Sequence, residues 1–154
     1  SKTPAIIVTA GAKAVLDLKK TFEALEFLGV PIVGYQTNEF PSFWSRGSGL
    51  ALEAVAESPE DIVSIWKHHC HLGSGSALVV ANPVPEKNQI PYSEISGIIN
   101  SAISEAESLG VMGPALTPFL LKFLNEKTEG RCLKTNVSLA VNNIRLGAAI
   151  SKLI

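Results

Sequence analysis

The sequence has 154 residues, of which 46% are hydrophobic and 18% are charged, and its formal net charge at pH 7 is −1. This length suffices for one compact domain. The absence of a Lys/Arg stripe argues against a dedicated nucleic-acid-binding protein, and no apolar run reaches the roughly 18 residues that span a bilayer. Cys70 and Cys132 are too few and too far apart for a disulfide framework, which favours a reducing compartment, the cytoplasm or an organelle.

The first segment, residues 5–17 (AIIVTAGAKAVLD), predicts a strand, a tight turn and the beginning of a helix. Residues 5–8 form a short apolar run rich in β-branched residues, which is typical of a buried strand. Gly11 permits a sharp reversal, and residues 12–27 carry apolar side chains at helical spacing. A buried strand so near the terminus needs neighbours on both faces, so we expect the chain to be part of a larger polypeptide or assembly.

Lys13 falls in the predicted first helical turn, at the carboxyl end of a strand, where open α/β sheets bind ligands. The helix dipole and burial would both disfavour the charged amine, so its pKa would fall and the neutral amine could form a Schiff base. The alternative is an ordinary solvated lysine. The complete G-x-x-x-x-G-K-[ST] motif is absent, so phosphate binding by a P-loop is not predicted.

A second strand over residues 30–36 completes a parallel βαβ unit. The irregular segment that follows contains Phe40, Phe43 and Trp44, which could plug the core, form an interface or line a pocket. Ser58 then predicts the N-cap of a helix that ends near residue 72.

The HHCH tract at residues 68–71 resembles a metal-ligand cluster, since His68 and His71 share a helix face. The helix dipole also favours histidines at this end without any metal. A third buried strand covers residues 77–81 and is followed by Asn82 and Pro83. Asn82 could bind a ligand at the edge of the sheet, or it could simply be a turn residue.

Three more helices are predicted, with Ser93, Thr117 and Asn136 at or near their amino termini. The first covers residues 90–109, a polar loop occupies residues 126–132, and the last helix covers residues 137–153. Asn136 is either an N-cap or a ligand-binding amide, and Asn142 or Asn143 could face the same space.

Five sequence stretches together resemble one enzyme family, that of pseudouridine-5′-phosphate glycosidase, also called pseudouridylate synthase. They are AGAK with LDL, GVPIVGYQT, LVVANPVPE, TPFLL and KTNVSLAVNN. The resemblance extends over residues 1–154 and corresponds to the carboxyl-terminal half of the family's domain. We therefore expect an α/β fold of the layered α/β/α type, with a largely parallel sheet.

The resemblance implies a lyase that reversibly cleaves the carbon–carbon glycosidic bond of pseudouridine 5′-phosphate to give uracil and ribose 5-phosphate. It implies that Lys13, in AGAK, forms a Schiff base with C1′ of the ring-opened sugar, and that Asn136 contacts the ligand. It also implies a homotrimer and an Mn²⁺ ion. The family's general acid/base glutamate, its phosphate-contacting basic residues and its manganese-binding aspartate lie upstream of this chain, so activity is expected only with the amino-terminal half.

Two alternatives remain open from the sequence. The chain could be a non-catalytic fragment that serves as an assembly unit, or it could belong to another lysine-imine sugar-phosphate enzyme, such as an aldolase.

Overall fold

A computed structural model describes residues 3–12 and 17–154, and within them four strands form one parallel sheet. The strands are β1 (Ile6–Thr9), β2 (Ile32–Tyr35), β3 (Val55–Ala56) and β4 (Leu78–Ala81), in the order β1-β4-β2-β3. The helices are α1 (Leu18–Phe27), α2 (Pro59–His71), α3 (Tyr92–Ser108), α4 (Leu116–Lys127) and α5 (Arg131–Ser151). The α/β fold predicted from the sequence is confirmed, although β3 was not predicted.

Strand β4 is the centre of the sheet and is buried along its whole length. Its Ala81 pairs in register with Thr9 of β1 and with Gly34 of β2, so the three strands end at the same edge. Leu78 and Val80 face one side of the sheet and pack with α2 and α5, while Ala81 faces the other side, near α1. The sheet is therefore layered on both faces.

Helices α3 and α4 form a separate packed pair, and Trp44 inserts into their shared core. The Trp44 side chain is fully buried. Its backbone carbonyl accepts a hydrogen bond of 2.8 Å from the N–H of Ile90, just before α3. The core interpretation of this aromatic residue is confirmed, and the segment that carries it connects the helical pair to the sheet.

Two helix beginnings differ from the sequence prediction. Helix α1 begins at Leu18, and Asp17 is its N-cap, accepting a hydrogen bond of 3.0 Å from the Lys20 N–H. This bond holds the pKa of Asp17 below its ordinary value. The sequence predicts a helix from residue 12, with a lysine in its first turn. Ala12 and Asp17 are not helical, and residues 13–16, on which that first turn would fall, lie outside the described residues. Lys13 itself lies outside the described residues.

Helix α5 begins at Arg131, so the predicted polar loop over residues 126–132 is reduced to the short link between α4 and α5. Gly130 makes the break by adopting a left-handed conformation, φ 82°. Asn136 consequently lies inside α5, and the prediction that it is an N-cap was wrong. Ser93 and Thr117 do not cap their helices either, since neither α3 nor α4 has a side-chain cap.

The glycine turn after β1 packs directly against the backbone of residues 40–45, the aromatic segment. Gly11 has φ +92°, and a Cβ added there would lie 1.7 Å from the Pro41 carbonyl oxygen. The N–H of Phe43 donates a hydrogen bond of 3.0 Å to the Ala10 carbonyl. The predicted turn is confirmed, and its position depends on the absence of a side chain at Gly11.

Both cysteines are free thiols: Cys70 is exposed and Cys132 is buried. Burial raises the pKa of the Cys132 thiol. Among the helices in the described part of the chain, none combines the length and apolar character needed to cross a membrane.

Replacing Ser58 by alanine should lower the free energy of unfolding by about 1 kcal/mol. The Ser58 hydroxyl accepts from the Asp61 N–H at 3.2 Å, and the Asp61 carboxylate accepts from the Ser58 N–H at 3.0 Å. Urea denaturation at neutral pH measures the difference. Ser93→Ala is the matched control and should leave the midpoint almost unchanged, since α3 has no side-chain cap. Equal losses in the two variants would contradict the capping role.

The same capping box should make stability depend on pH. Hydrogen bonds from Ser58 and the Glu57 N–H hold the pKa of Asp61 below its ordinary 3.8. The resulting stabilisation is present above that ordinary value and is lost as the pH falls through the lower folded-state pKa. The difference between wild type and Ser58→Ala should therefore shrink in acid, as measured by the urea midpoints.

Gly11→Ala should destabilise the protein more than Gly73→Ala. Gly73 also has a positive φ, +72°, but no atom lies within 4 Å of the position of an added Cβ. Gly73→Ala should therefore carry only the backbone strain, about 1–2 kcal/mol, while Gly11→Ala adds a clash with the Pro41 carbonyl. The melting temperatures of both variants test this difference. A smaller loss of stability for Gly11→Ala than for Gly73→Ala would show that the turn can move away from the Pro41 carbonyl.

Candidate functional site

Polar side chains converge at the edge of the sheet where β2 and β4 end. A cavity of about 190 Å³ lies there, between the end of β2, the segment after β4 and helix α5. Its lining residues are Tyr35, Gln36, Arg46, Asn82, Pro83, Pro85 and Asn142. Parallel α/β sheets bind ligands at this edge, so it is the candidate site.

A larger cavity, about 560 Å³, lies among residues that precede β2 and β3 and includes His69. It is at the opposite end of the strands, and its walls are largely apolar. The smaller cavity is the better candidate because its polar groups converge and are held by hydrogen bonds to one another.

Three asparagine amides form a directional chain beside the candidate cavity. Asn142 Nδ2 donates to the Pro83 carbonyl at 3.1 Å and to Asn82 Oδ1 at 3.2 Å. Asn82 Nδ2 then donates to Asn143 Oδ1 at 3.0 Å. Because a backbone carbonyl can only accept, the Pro83 oxygen sets the orientation of all three amides. Asn82 is thus more than a turn residue: it is buried and joins β4 to α5.

Asn136 lies on α5 and is bound to the aromatic segment. Its Oδ1 accepts a hydrogen bond of 2.7 Å from Nε1 of Trp44. The sequence allowed for a ligand-binding amide at Asn136, but it gave no indication of this partner, which lies 92 positions away.

The glycine turn that precedes Lys13 lies against the same helix. Ala10, Val84 and Leu139 form one buried cluster, with Phe43 packed against it. Asn136 and Asn143 flank Leu139 at helical spacings of three and four residues, so they share its face of α5. The structure therefore brings together the beginning of the AGAK motif, the segment after β4 and the amides of α5. Lys13 lies outside the described residues, so its distance from these groups is not defined.

Arg46 and Gln36 are functional candidates that the sequence reasoning missed. Arg46 lines the cavity and donates a hydrogen bond of 2.9 Å from Nη1 to the Val84 carbonyl. Gln36 has a positive φ, 53°, and its Nε2 donates to the Glu57 carbonyl at 3.0 Å. The only sequence signal was a single arginine directly after the aromatic segment. Together with the amides, these groups suit a ligand that is rich in acceptor oxygens.

The described part of the chain does not form a manganese site. It contains no group of three or more His, Cys, Asp or Glu side chains that could hold a metal ion. The described residues lining the cavity are amides, prolines, a tyrosine and an arginine, which do not fit Mn²⁺, a metal that favours carboxylate oxygens.

In the HHCH tract, two histidine rings hydrogen-bond to backbone carbonyls. His68 Nδ1 lies 2.7 Å from the Ser64 carbonyl, and His69 Nε2 lies 3.0 Å from the Ser76 carbonyl. His69 Nε2 also lies 2.8 Å from the Ser74 hydroxyl, so these ring nitrogens have protein hydrogen-bond partners without a metal.

Comparisons with known proteins give a family and two structural neighbours. The sequence model of the family described as Indigoidine synthase A like protein matches residues 1–153. The pseudouridine-5′-phosphate glycosidase of Mesorhizobium japonicum is 48% identical over 152 residues, which cover 99% of this chain and 50% of that protein. The Staphylococcus aureus protein of the same name is 46% identical, covering 98% of this chain and 49% of its own length.

An indigoidine synthase A (IdgA)-like protein from Thermotoga maritima has a TM-score of 0.88 and 40% identity, over 97% of this chain and 49% of the solved one. The prealnumycin C-glycosynthase AlnA, solved with ribulose 5-phosphate, has a TM-score of 0.87 and 26% identity. The match covers 99% of this chain and 51% of the AlnA chain. The chain spans about half the length of the curated relatives it matches. With a family model that matches nearly every residue and relatives well above 40% identity, this chain belongs to the pseudouridine-5′-phosphate glycosidase (Indigoidine synthase A like) family.

Proposed function

We propose that the chain is the part of a pseudouridine-5′-phosphate glycosidase that carries its imine-forming lysine. The reaction is the reversible cleavage of pseudouridine 5′-phosphate to uracil and ribose 5-phosphate. The supporting observation is that Ala10, three residues before Lys13, packs against Leu139 between Asn136 and Asn143. The names of the curated relatives support the same reaction, and AlnA is a C-glycosynthase solved with a sugar phosphate.

The bond to be broken explains why a lysine is needed. A carbon–carbon glycosidic bond has no leaving oxygen that an acid can protonate, so the two-carboxylate scheme of most glycosidases does not apply. In the synthetic direction, the neutral amine of Lys13 adds to the C1′ aldehyde and water leaves. The resulting protonated imine accepts the electron pair of the uracil carbon. The uracil carbon then loses its proton, and the ring closes as the sugar hydroxyl displaces the amine from C1′. In cleavage the amine adds to C1′ and the bond from C1′ to the ring oxygen breaks, so that the oxygen leaves as a hydroxyl. The nitrogen lone pair then forms the C=N bond, the departing uracil carbon takes a proton, and water hydrolyses the imine to give ribose 5-phosphate and the free amine.

The described residues would bind and orient the substrate. Asn136 presents an amide to the ligand, and Arg46 places a cation at the wall of the cavity. Because α1 begins at Leu18, the dipole of that helix is not needed to lower the pKa of Lys13. Burial of the amine against the bound ligand would have the same effect.

We propose that the remaining half of the relatives' length completes the site by covering α5. Four apolar side chains on this helix are exposed at spacings of three or four residues: Leu133, Val137, Val141 and Ile144. Asn136 and Asn143 directly adjoin this apolar stripe in sequence. Strand β1 also has no partner on its outer edge among the described residues, and its Ile7 is 49% exposed. Apolar edges of this kind are usually covered.

The covering half would supply the acid/base glutamate, the phosphate-contacting basic residues and the manganese ligand that the resemblance implies. The homotrimer is proposed for the completed enzyme.

Borohydride reduction in the presence of ribose 5-phosphate should trap one sugar phosphate on Lys13. The experiment uses the chain in full-length form, with the remaining half of the relatives' length, and peptide mass spectrometry locates the adduct. Lys13→Arg keeps the charge but cannot form an imine, so it should abolish both the adduct and turnover. Lys19→Arg is the matched control, because the Lys19 side chain is 76% exposed on α1, and it should change neither.

An adduct on another residue, or no adduct, would contradict the imine mechanism. Consumption of ribose 5-phosphate without uracil would instead favour an aldolase-like enzyme. Full-length protein that lacks turnover would favour a non-catalytic assembly unit.

Val137→Lys should be tolerated in the 154-residue chain alone but should destabilise the full-length protein. Val137 is 57% exposed in the chain. Burial of its side chain under a second half would stabilise the full-length fold by about 1.5–3 kcal/mol, and the lysine variant would lose this stabilisation. Leu109→Lys is the control, since Leu109 is similarly exposed but lies at the end of α3. Urea denaturation measures both variants in both forms, and equal tolerance of Val137→Lys in the two forms would show that the α5 stripe stays uncovered.

A further inference from the structure

The hydrogen bond between Trp44 and Asn136 determines which end of the Asn136 amide is free. The Trp44 side chain is 0% exposed, and its ring packs edge-on against Phe43 with the ring centroids 5.0 Å apart. The indole has one polar atom, Nε1, and it can only donate. Leaving that donor unpaired in the core would destabilise the fold. The 2.7 Å bond to Asn136 Oδ1 satisfies it.

The amide of Asn136 is therefore fixed in one of its two orientations. An asparagine amide can usually rotate so that either its oxygen or its nitrogen faces a neighbour. Facing a donor-only indole, Oδ1 must point toward Trp44 and Nδ2 must point away. Among the residues that the structure describes, Asn136 Nδ2 donates to no protein acceptor.

The backbone that carries the indole is held in place by hydrogen bonds. The Trp44 carbonyl accepts from the Ile90 N–H at 2.8 Å, and Ser45 Oγ donates to the Ile90 carbonyl at 2.6 Å. Two consecutive residues of the aromatic segment are thus bound to one residue beside α3. Because the buried indole packs in the α3/α4 core, a rotation of the ring would disrupt that packing, so the indole cannot follow a rotated amide.

We propose that Trp44 is a positioning residue that fixes Asn136 as a hydrogen-bond donor toward an acceptor oxygen of the ligand. The acceptor is a carbonyl or hydroxyl oxygen, and the inference rests on the proposed function for the identity of the substrate. The Pro83 carbonyl fixes the orientation of the Asn143 amide through the Asn142–Asn82–Asn143 chain. Since Asn143 Oδ1 accepts the last hydrogen bond of that chain, Asn143 Nδ2 is left as a donor at its end. The face of α5 around Leu139 then carries two donors with fixed orientations.

The hydrogen bond can be tested without any ligand, in the full-length protein. The indole N–H proton of Trp44 should exchange slowly with solvent in NMR spectra. Asn136→Ala should shift this resonance and speed its exchange, while the indole resonance of Trp66, which stacks on His69, serves as the internal reference. A Trp44 resonance that does not respond to Asn136→Ala would overturn the inference, whatever the protein catalyses.

The positioning role is tested by kinetics with pseudouridine 5′-phosphate in the full-length enzyme. Trp44→Phe keeps most of the ring but removes the N–H, so the Asn136 amide can rotate. Its KM should rise about 10-fold, the effect of losing one hydrogen bond of about 1.4 kcal/mol. In an Asn136→Ala background, Trp44→Phe should have almost no further effect on KM.

Asn136→Asp gives the complementary test. Its carboxylate still accepts from Trp44 but cannot donate to the ligand, so KM should rise at least as much as in Asn136→Ala. A purely structural role of Trp44 predicts the same loss in both backgrounds, and that outcome, or an Asn136→Asp variant with unchanged KM, would overturn the inference. Wild-type enzyme that fails to cleave pseudouridine 5′-phosphate would refute the proposed function, while the NMR result would still decide the inference.

Discussion

The close approach of Gly11 to the Pro41 carbonyl is the constraint on which the rest of the site depends. An added Cβ would lie 1.7 Å from that oxygen, so the turn after β1 and the aromatic segment can meet only if this position has no side chain. The Phe43 N–H then reaches the Ala10 carbonyl, and the next residue, Trp44, reaches Asn136. A single backbone contact thereby sets the relation between the AGAK motif and helix α5.

Helix α5 has two different faces, one that carries amides and one that is apolar. The face around Leu139 carries amides whose orientations are fixed by a buried indole and by a backbone carbonyl. The face with Val137 and Ile144 is apolar and exposed. Because the two faces adjoin, whatever covers the apolar stripe also comes close to the amides. Completion of the fold and completion of the site would then be the same event.

The chemistry that the described residues offer is that of binding and orientation. The groups lining the candidate cavity are mainly neutral amides and one guanidinium, which hold acceptor oxygens without transferring protons at neutral pH. A lysine imine needs such an environment to hold the opened sugar, and it needs an acid or base for the uracil carbon. The proposed division of these tasks between two halves agrees with a chain that spans half of its relatives' length.

The sequence by itself determined the features that depend on neighbouring residues. The Ser58 N-cap, the apolar run of β4 and the glycine turn after β1 each arise from a few adjacent residues, and the sequence alone predicts each of them. The motifs also identified the family, because their order is a property of the chain. Only the tertiary structure decided what Asn136 does, since a short-range pattern cannot distinguish an N-cap from an amide whose partner is 92 positions away.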